Sequence, residues 1–388
     1  MAVDELTGPT LPQELLDLVL DHLGASINYK SLRACTLVHR CLLERSQQWL
    51  FREIRLIVNE YDLEDVDQRE RSQPERLYAI LQESPHLAGY VHTLIFACER
   101  PMRDYSPARI ALHGLAQEKV LPLLLTQLPG LAKLELIVSS YGRSPDLGDA
   151  LVDALAATSV VDLHIRNVLA PPRLLRCLPP RLEHLTLDGI WLGSDEWRDP
   201  SGRPMVDCFP KQLWKLTLRG MEVADRSVRV LSAAGLLSVV RELDMAQLGY
   251  AERTTGDKLF FASDRLHRLT MSFPRTCVLF YRLDISSLGS LRELRIVAPE
   301  CRSPASWAWL RNTLERMHPL RRLSLYIYGG KTDEWALRHL DKYLANSSAK
   351  FECVDIHLDP QRDRKIACTF LPLSVERYGA DFCLPDCL

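Results

Sequence analysis

LEHLTL, Leu182 to Leu187, is six residues long and carries a pattern: apolar, two residues, apolar, one residue, apolar. The last two apolar residues, Leu185 and Leu187, are two apart, so on an extended chain both point to one side. The same pattern stands at VHTLIF (Val91–Phe96), LAKLEL (Leu131–Leu136), VVDLHI (Val160–Ile165), LWKLTL (Leu213–Leu218) and VRELDM (Val240–Met245). It returns at LHRLTM (Leu266–Met271), LRELRI (Leu291–Ile296), LRRLSL (Leu320–Leu325) and FECVDI (Phe351–Ile356), and an earlier match, FREIRL (Phe51–Leu56), precedes them all. From Val91 onward the start-to-start spacings are 40, 29, 22, 31, 27, 26, 25, 29 and 31 residues. Most lie in or near the range of about 20–29 residues typical of leucine-rich repeats.

Between these stretches lie segments of helical periodicity: LGDALVDALAAT, DRSVRVLSAAG, SWAWLRNTLERM and EWALRHLDKYLA. A strand, a helix and a second parallel strand form a right-handed crossover, and stacking such units gives an α/β solenoid. The expectation is therefore an α/β chain with parallel strands inside and helices outside. Its leucines fill the space between the two layers, each worth roughly 1.5–3 kcal/mol on burial. The repeats are irregular. Leu248–Phe261 and Pro274–Ser287 lack helical periodicity, Trp191–Pro210 reads as a turn-rich insertion at one rim, and a long helix is expected from Ala108 to about Leu128.

Composition narrows the function. Of 388 residues, 47% are apolar and 25% charged, ordinary for a globular chain. A net charge of −2 gives no general attraction to nucleic acid or anionic lipid. No apolar run reaches the roughly 18 residues of a membrane span. The opening MAVDELTGPT lacks the basic start and apolar core of a secretory leader. Eleven scattered cysteines read as reduced small hydrophobes of a cytoplasmic or nuclear protein. Hydrolase, zinc-protease and phosphate-loop motifs are missing, and GYAERTTGDK has the wrong spacing for a phosphate loop. Cys383 and Cys387, with Cys353, His357 and Cys368 upstream, lack the paired spacing of a zinc site. No catalytic residue, metal or cofactor is expected.

The N-terminal segment LPQELLDLVLDHLG, Leu11 to Gly24, reads as a helix from about Pro12 to Leu23, with Gly24 as its terminator. It has too many large apolar residues for one buried stripe. Leu15, Val19 and Leu23 form one row, Leu16, Leu20 and Leu23 a neighbouring row, and Leu18 widens the surface. Either the helix is buried all round, or one face rests on its own domain and the other on a partner.

This segment resembles an F-box, a three-helix module. The resemblance rests on Leu11, Pro12 and Glu14 of Leu-Pro-x-Glu, on Leu15, Val19 and Leu23, on SLRACTLVHR (Ser31–Arg40) as second helix, and on CLLERSQQWLF (Cys41–Phe51) as third. The run LFREIRL is similar to the junction in fungal F-box proteins. The family often has Trp where Leu42 stands and Ser where His39 stands. The resemblance covers about 45 residues, and the repeats behind it fit the F-box/leucine-rich-repeat class. It implies residues 1–9 as a flexible start, 10–51 as F-box, 52–90 as connection and first irregular repeat, 91–358 as repeat domain and 359–388 as tail.

The resemblance also implies a function: the substrate-recognition subunit of a Skp–cullin–F-box ubiquitin ligase. Leu11, Pro12, Leu15 and Val19 would contact a Skp-type adaptor, and through it a cullin. Leu32, Cys35 and Val38 would assist, or would form the module's own core. The repeat domain would bind a protein substrate. Strand residues between the apolar ones, including Lys133, Glu135, Asp162, His164, Arg166, His184, Asp188 and Asp355, would face the concave side. The candidates for substrate contact are Lys215, Arg219, Glu242, Asp244, Arg268, Arg295, Arg322 and Tyr326, with Tyr328 a second aromatic. Their mixed signs speak against a nucleic-acid groove. A protein-binding scaffold with no part in ubiquitination is the alternative.

Overall fold

The computed structural model describes residues 11–59, 73–99, 119–138, 147–170, 174–175, 177–192, 209–220, 231, 235–246, 259–260, 263–272, 283–285, 288–298, 304–317, 320–327, 334–346, 351–358 and 382–383. It is an α/β structure built on a parallel, twelve-stranded sheet. The large-sheet strands are Glu53–Asn59, Thr93–Glu99, Lys133–Val138, Asp162–Arg166, His184–Asp188, Lys215–Arg219, Glu242–Ala246, Arg268–Ser272, Glu293–Ala298, Arg322–Ile327, Cys353–Leu358 and Phe382–Cys383. Their order in space is their order in sequence, so the architecture is solenoid-like. Eleven of the strands begin two residues into the eleven apolar stretches. The twelfth, Phe382–Cys383, pairs with Val354–Asp355 and lies in the segment expected to be tail.

The register repeats from strand to strand. Leu134 pairs with Leu163, Leu163 with Leu185, Leu185 with Leu216, and Leu216 with Leu243. These leucines are buried, and they join one continuous core with the leucines that open each stretch, such as Leu131, Leu182 and Leu213. Helices Val120–Gln127, Asp149–Ala156, Pro304–Arg316 and Glu334–Asn346 supply the facing layer. Leu121, Leu151, Leu155, Leu314 and Leu344 are buried in that same core. Most alternate strand residues are half-buried or exposed, with Ala97 and Thr217 buried, and they form the other, largely polar face of the sheet.

After three central strands the chain turns through a left-handed residue: Asn167, Gly189 and Gly220, with φ of 55°, 60° and 58°. Their N–H groups donate to Asp188, Arg219 and Ala246 oxygens, so the ladder runs one residue past each strand. The Asn167 side chain donates to Val138 O at 2.8 Å. A Cβ on Gly189 would land on the Asn167 side chain.

Three helices precede the sheet: α1 Gln13–Ala25, α2 Tyr29–Val38 and α3 Arg40–Arg52. The Asn28 side chain accepts from Ser31 N–H and caps α2, while His39 Nδ1 accepts from Cys41 N–H and caps α3. α3 passes directly into the first strand at Glu53, and Phe51 and Ile54 pack against the solenoid core. The sheet starts at residue 53, in the segment expected to hold the connection and first irregular repeat, and pairs Glu53–Asn59 with Thr93–Glu99. The helix expected from Ala108 is found as Val120–Gln127, and residues 108–118 lie outside the described residues. So do most of Trp191–Pro210, most of the two irregular stretches 248–261 and 274–287, most of DRSVRVLSAAG, and Tyr328.

Candidate docking surfaces

The three-helix unit has two unlike faces. Leu20 is fully buried, Leu16 and Leu23 are half-buried, and Gly24 lies inside α1 and does not end it. Gly24 is there because α1 crosses α3 closely: a Cβ at that position would fall within the Trp49 indole. The same crossing is tied by Asp21. Arg45 Nε and Nη2 donate to its two oxygens at 2.7 and 2.8 Å, and Trp49 Nε1 donates to Oδ1 at 2.8 Å. The Arg45 guanidinium, and after it the indole N–H, hold the Asp21 carboxyl below the usual carboxylate range. Gln13 Nε2 donates to Cys41 O at 3.1 Å, which links the starts of α1 and α3.

The other face is apolar and open. Among the described residues eleven large apolar side chains are exposed, and nine belong to residues 11–43, so this exposure is localised. On and before α1 they are Leu11, Leu15, Leu18 and Val19, on and before α2 Ile27, Tyr29, Leu37 and Val38, and on α3 Leu43. Leu37 is 87% exposed, Val38 73%, Leu18 64% and Val19 57%. Ordinary surfaces scatter single apolar residues, so nine concentrated on one small unit make it a candidate docking surface. Four of the sequence-derived candidates, Leu11, Pro12, Leu15 and Val19, are exposed, and so is Val38; Cys35 is half-buried. Leu32 was expected either to assist docking or to join the module's own core. It is wholly buried in the unit, because its side of α2 turns toward α1 and α3, so it serves the module's own core. Leu18, Ile27, Tyr29, Leu37 and Leu43 were not among the candidates. The signal for Leu18 lay in the excess width of the apolar stripe, whereas Leu37 and Val38 needed the direction of α2.

The second surface is the polar face of the sheet. The register places Lys215, Glu242, Arg268, Glu293 and Arg322 in one row across five successive strands. Arg268 donates to Glu242 at 2.9 Å and to Glu293 at 2.6 Å, and Arg322 lies 3.9 Å from Glu293. Glu293, absent from the candidates, is the hinge of this ladder. Arg268 and Glu242 are therefore committed to each other, and Arg322 stands against Glu293. Arg295 lies over the Tyr326 ring at 4.3 Å, and Tyr326 stacks on His357 with centroids 4.0 Å apart and planes 6° apart. The aromatic candidate is thus occupied by its own neighbours, a cation on one side and an imidazole on the other.

The middle of the face differs. Neighbouring strands place His164 beside Thr186, Thr186 beside Thr217, and Thr217 beside Asp244. Burial pushes the Asp244 carboxyl up, against the pull of Arg219, Lys215 and Arg295. Burial likewise holds the His164 imidazole below its ordinary range. His164 Nε2 and His184 Nε2 are shielded from solvent and have no hydrogen-bond partner, and the His184 ring meets Trp214 edge-on at 4.8 Å. Among the described residues no group of His, Cys, Asp and Glu is arranged to hold a metal, and no helix is long and apolar enough to cross a membrane. Cys368 and Cys387 lie outside the described residues.

No family model matches the chain, and no curated protein matches it. Among solved structures it is similar to a Bacteroides fragilis protein, 12% identical, over 78% of this chain and 74% of that one. The TM-score is 0.31, too slight a likeness to bear on fold or function.

Proposed function

We propose that the chain is a non-catalytic substrate receptor of a Skp–cullin–F-box ubiquitin ligase, with α1–α3 as an F-box and the sheet domain as an irregular leucine-rich-repeat solenoid. The observation that carries the reading is the open apolar face of α1–α3, where Leu11, Leu15, Leu18, Val19, Leu37 and Val38 remain in water. Such a face costs solubility, and a partner that covers it removes the cost. A Skp-type adaptor is the partner, the cullin is reached through it, and the polar sheet face receives a protein substrate. The protein would act in the cytoplasm or nucleus, where the ligase works.

The test is co-expression with a Skp-type adaptor, comparing wild type with the Leu11→Ala, Pro12→Ala double variant. The expected result is a stable complex with wild type and a weakened one with the variant. A folded wild-type protein that captures no adaptor removes the ligase reading and leaves a scaffold. Capture untouched by the double variant removes the assignment of the docking residues.

A further inference from the structure

The polar face is not uniform in how its charges are spent. On its later strands Arg268 pairs with Glu242 and Glu293, Arg322 lies near Glu293, and Arg295 lies over the Tyr326 ring. On the earlier strands Lys133 pairs with Glu135 at 2.8 Å and Arg166 with Asp188 at 3.3 Å. Lys215 and Arg219 lie between these two zones. The carboxylate next to Lys215 in the register is Glu242, and it is taken by Arg268. The carboxylate next to Arg219 is Asp188, and it is taken by Arg166. Among the described residues neither cation has a carboxylate within ion-pair distance, and the acid that both act on is Asp244.

The floor between them points the same way. Thr217 stands on the polar face, yet it is only 5% exposed, lower than its neighbours. Two imidazole nitrogens of the same face, on His184 next to Lys215 in the register and on His164 one strand beyond Thr186, are shielded and unpartnered. A folded protein rarely leaves shielded polar atoms without partners, so these two set the middle of the face apart from its paired flanks. The set offers cations at two corners, polar groups on the floor and one carboxylate, Asp244, at the side. We propose that this central patch, with Lys215 and Arg219 as its cations and Thr217 as its floor, captures an acidic segment of a protein partner. A polyanion such as RNA fits worse, because the rows on either side carry Glu242, Glu293, Glu135 and Asp188. Short carboxylate side chains can reach the two cations, which otherwise face only Asp244, without lying along those acids. The inference rests on the receptor reading only in taking the ligand to be a protein segment.

The probes are short labelled peptides rich in Asp and Glu, matched peptides rich in Lys and Arg, and a single-stranded RNA of similar length, measured against the full chain by fluorescence anisotropy. Acidic peptides bind best, and added salt weakens them. The Lys215→Gln, Arg219→Gln variant loses roughly tenfold or more in affinity, the scale of central interface residues. The Arg268→Gln, Arg322→Gln variant removes the same charge from the same face and changes affinity by less than about threefold, because those cations are already paired. Equal loss in both variants overturns the proposal, as does preference for basic peptide or RNA, or no preference at all. Acetylation footprinting on the wild type keeps the test open if the central variant misfolds. Bound acidic peptide must protect Lys215 while exposed Lys211 stays reactive, and an unprotected Lys215 refutes the site. Adaptor capture is scored on the same preparations. Its absence sinks the ligase reading alone, and its presence without an acidic preference sinks this inference alone.

Discussion

Removing Leu18 and Val19 together separates the two readings of α1. In the isolated chain Leu18 is 64% exposed and Val19 57% exposed. Full burial of a leucine is worth about 1.5–3 kcal/mol. A partner that covers the remaining two thirds of Leu18 gains roughly 1–2 kcal/mol from it, and about 1 kcal/mol from Val19. Leu18→Ala with Val19→Ala should therefore weaken the adaptor complex by about 2–3 kcal/mol, a factor of roughly 30 to 150 in Kd. The free chain should barely notice, since most of each side chain is already in water and alanine suits a helix interior. Adaptor affinity by isothermal titration and Tm by differential scanning fluorimetry give the two numbers. Leu20→Ala is the reverse control: Leu20 is wholly buried, so its loss lowers stability by about 2–5 kcal/mol. If the exposed pair lowers Tm as Leu20→Ala does and leaves affinity unchanged, α1 is a core helix and the docking argument fails.

Gly24→Ala should disorder the α1–α3 crossing, because its methyl meets the Trp49 ring. Overpacking of this kind costs about 1–3 kcal/mol, and the readouts are limited proteolysis of the module and loss of adaptor capture. Gly189→Ala should destabilise the solenoid in urea by roughly 1–2 kcal/mol from its left-handed backbone, and more as the Asn167 side chain is displaced. Unchanged urea midpoints would refute that reading of the turn. Asp244→Asn should raise Tm at neutral pH. A folded pKa above the ordinary 3.8 means that the fold disfavours the ionised form, so the charge costs stability at neutral pH and the cost fades as pH falls below that value. Melting curves of both forms across acid pH should converge there, and a lower Tm for the variant at neutral pH would show that Arg219 and Lys215 outweigh the burial.

The local pattern alone determined most of this protein. Two apolar residues spaced two apart choose a strand, and helical periodicity between them chooses the second layer. Eleven copies choose parallel pairing, since each unit needs a neighbour to cover its leucines. The turns after strands came from the structure: Asn167, Gly189 and Gly220 take a left-handed backbone at the same point of three units. The excess of leucine in α1 was visible too, but not which leucines were in excess. That depended on α3, because the Asp21–Arg45–Trp49 tie and the missing side chain of Gly24 set the rotation of α1. With that rotation fixed, Leu16 and Leu20 turn inward and Leu15, Leu18 and Val19 outward. The polar face shows the same division. Strand parity put Lys215, Arg268 and Tyr326 on one side, but only the register between strands decided which charges neutralise each other. Pairs between strands join residues far apart in sequence, as in Arg268–Glu293 and Arg321–Glu352, 25 and 31 positions apart, and no local window contains both partners.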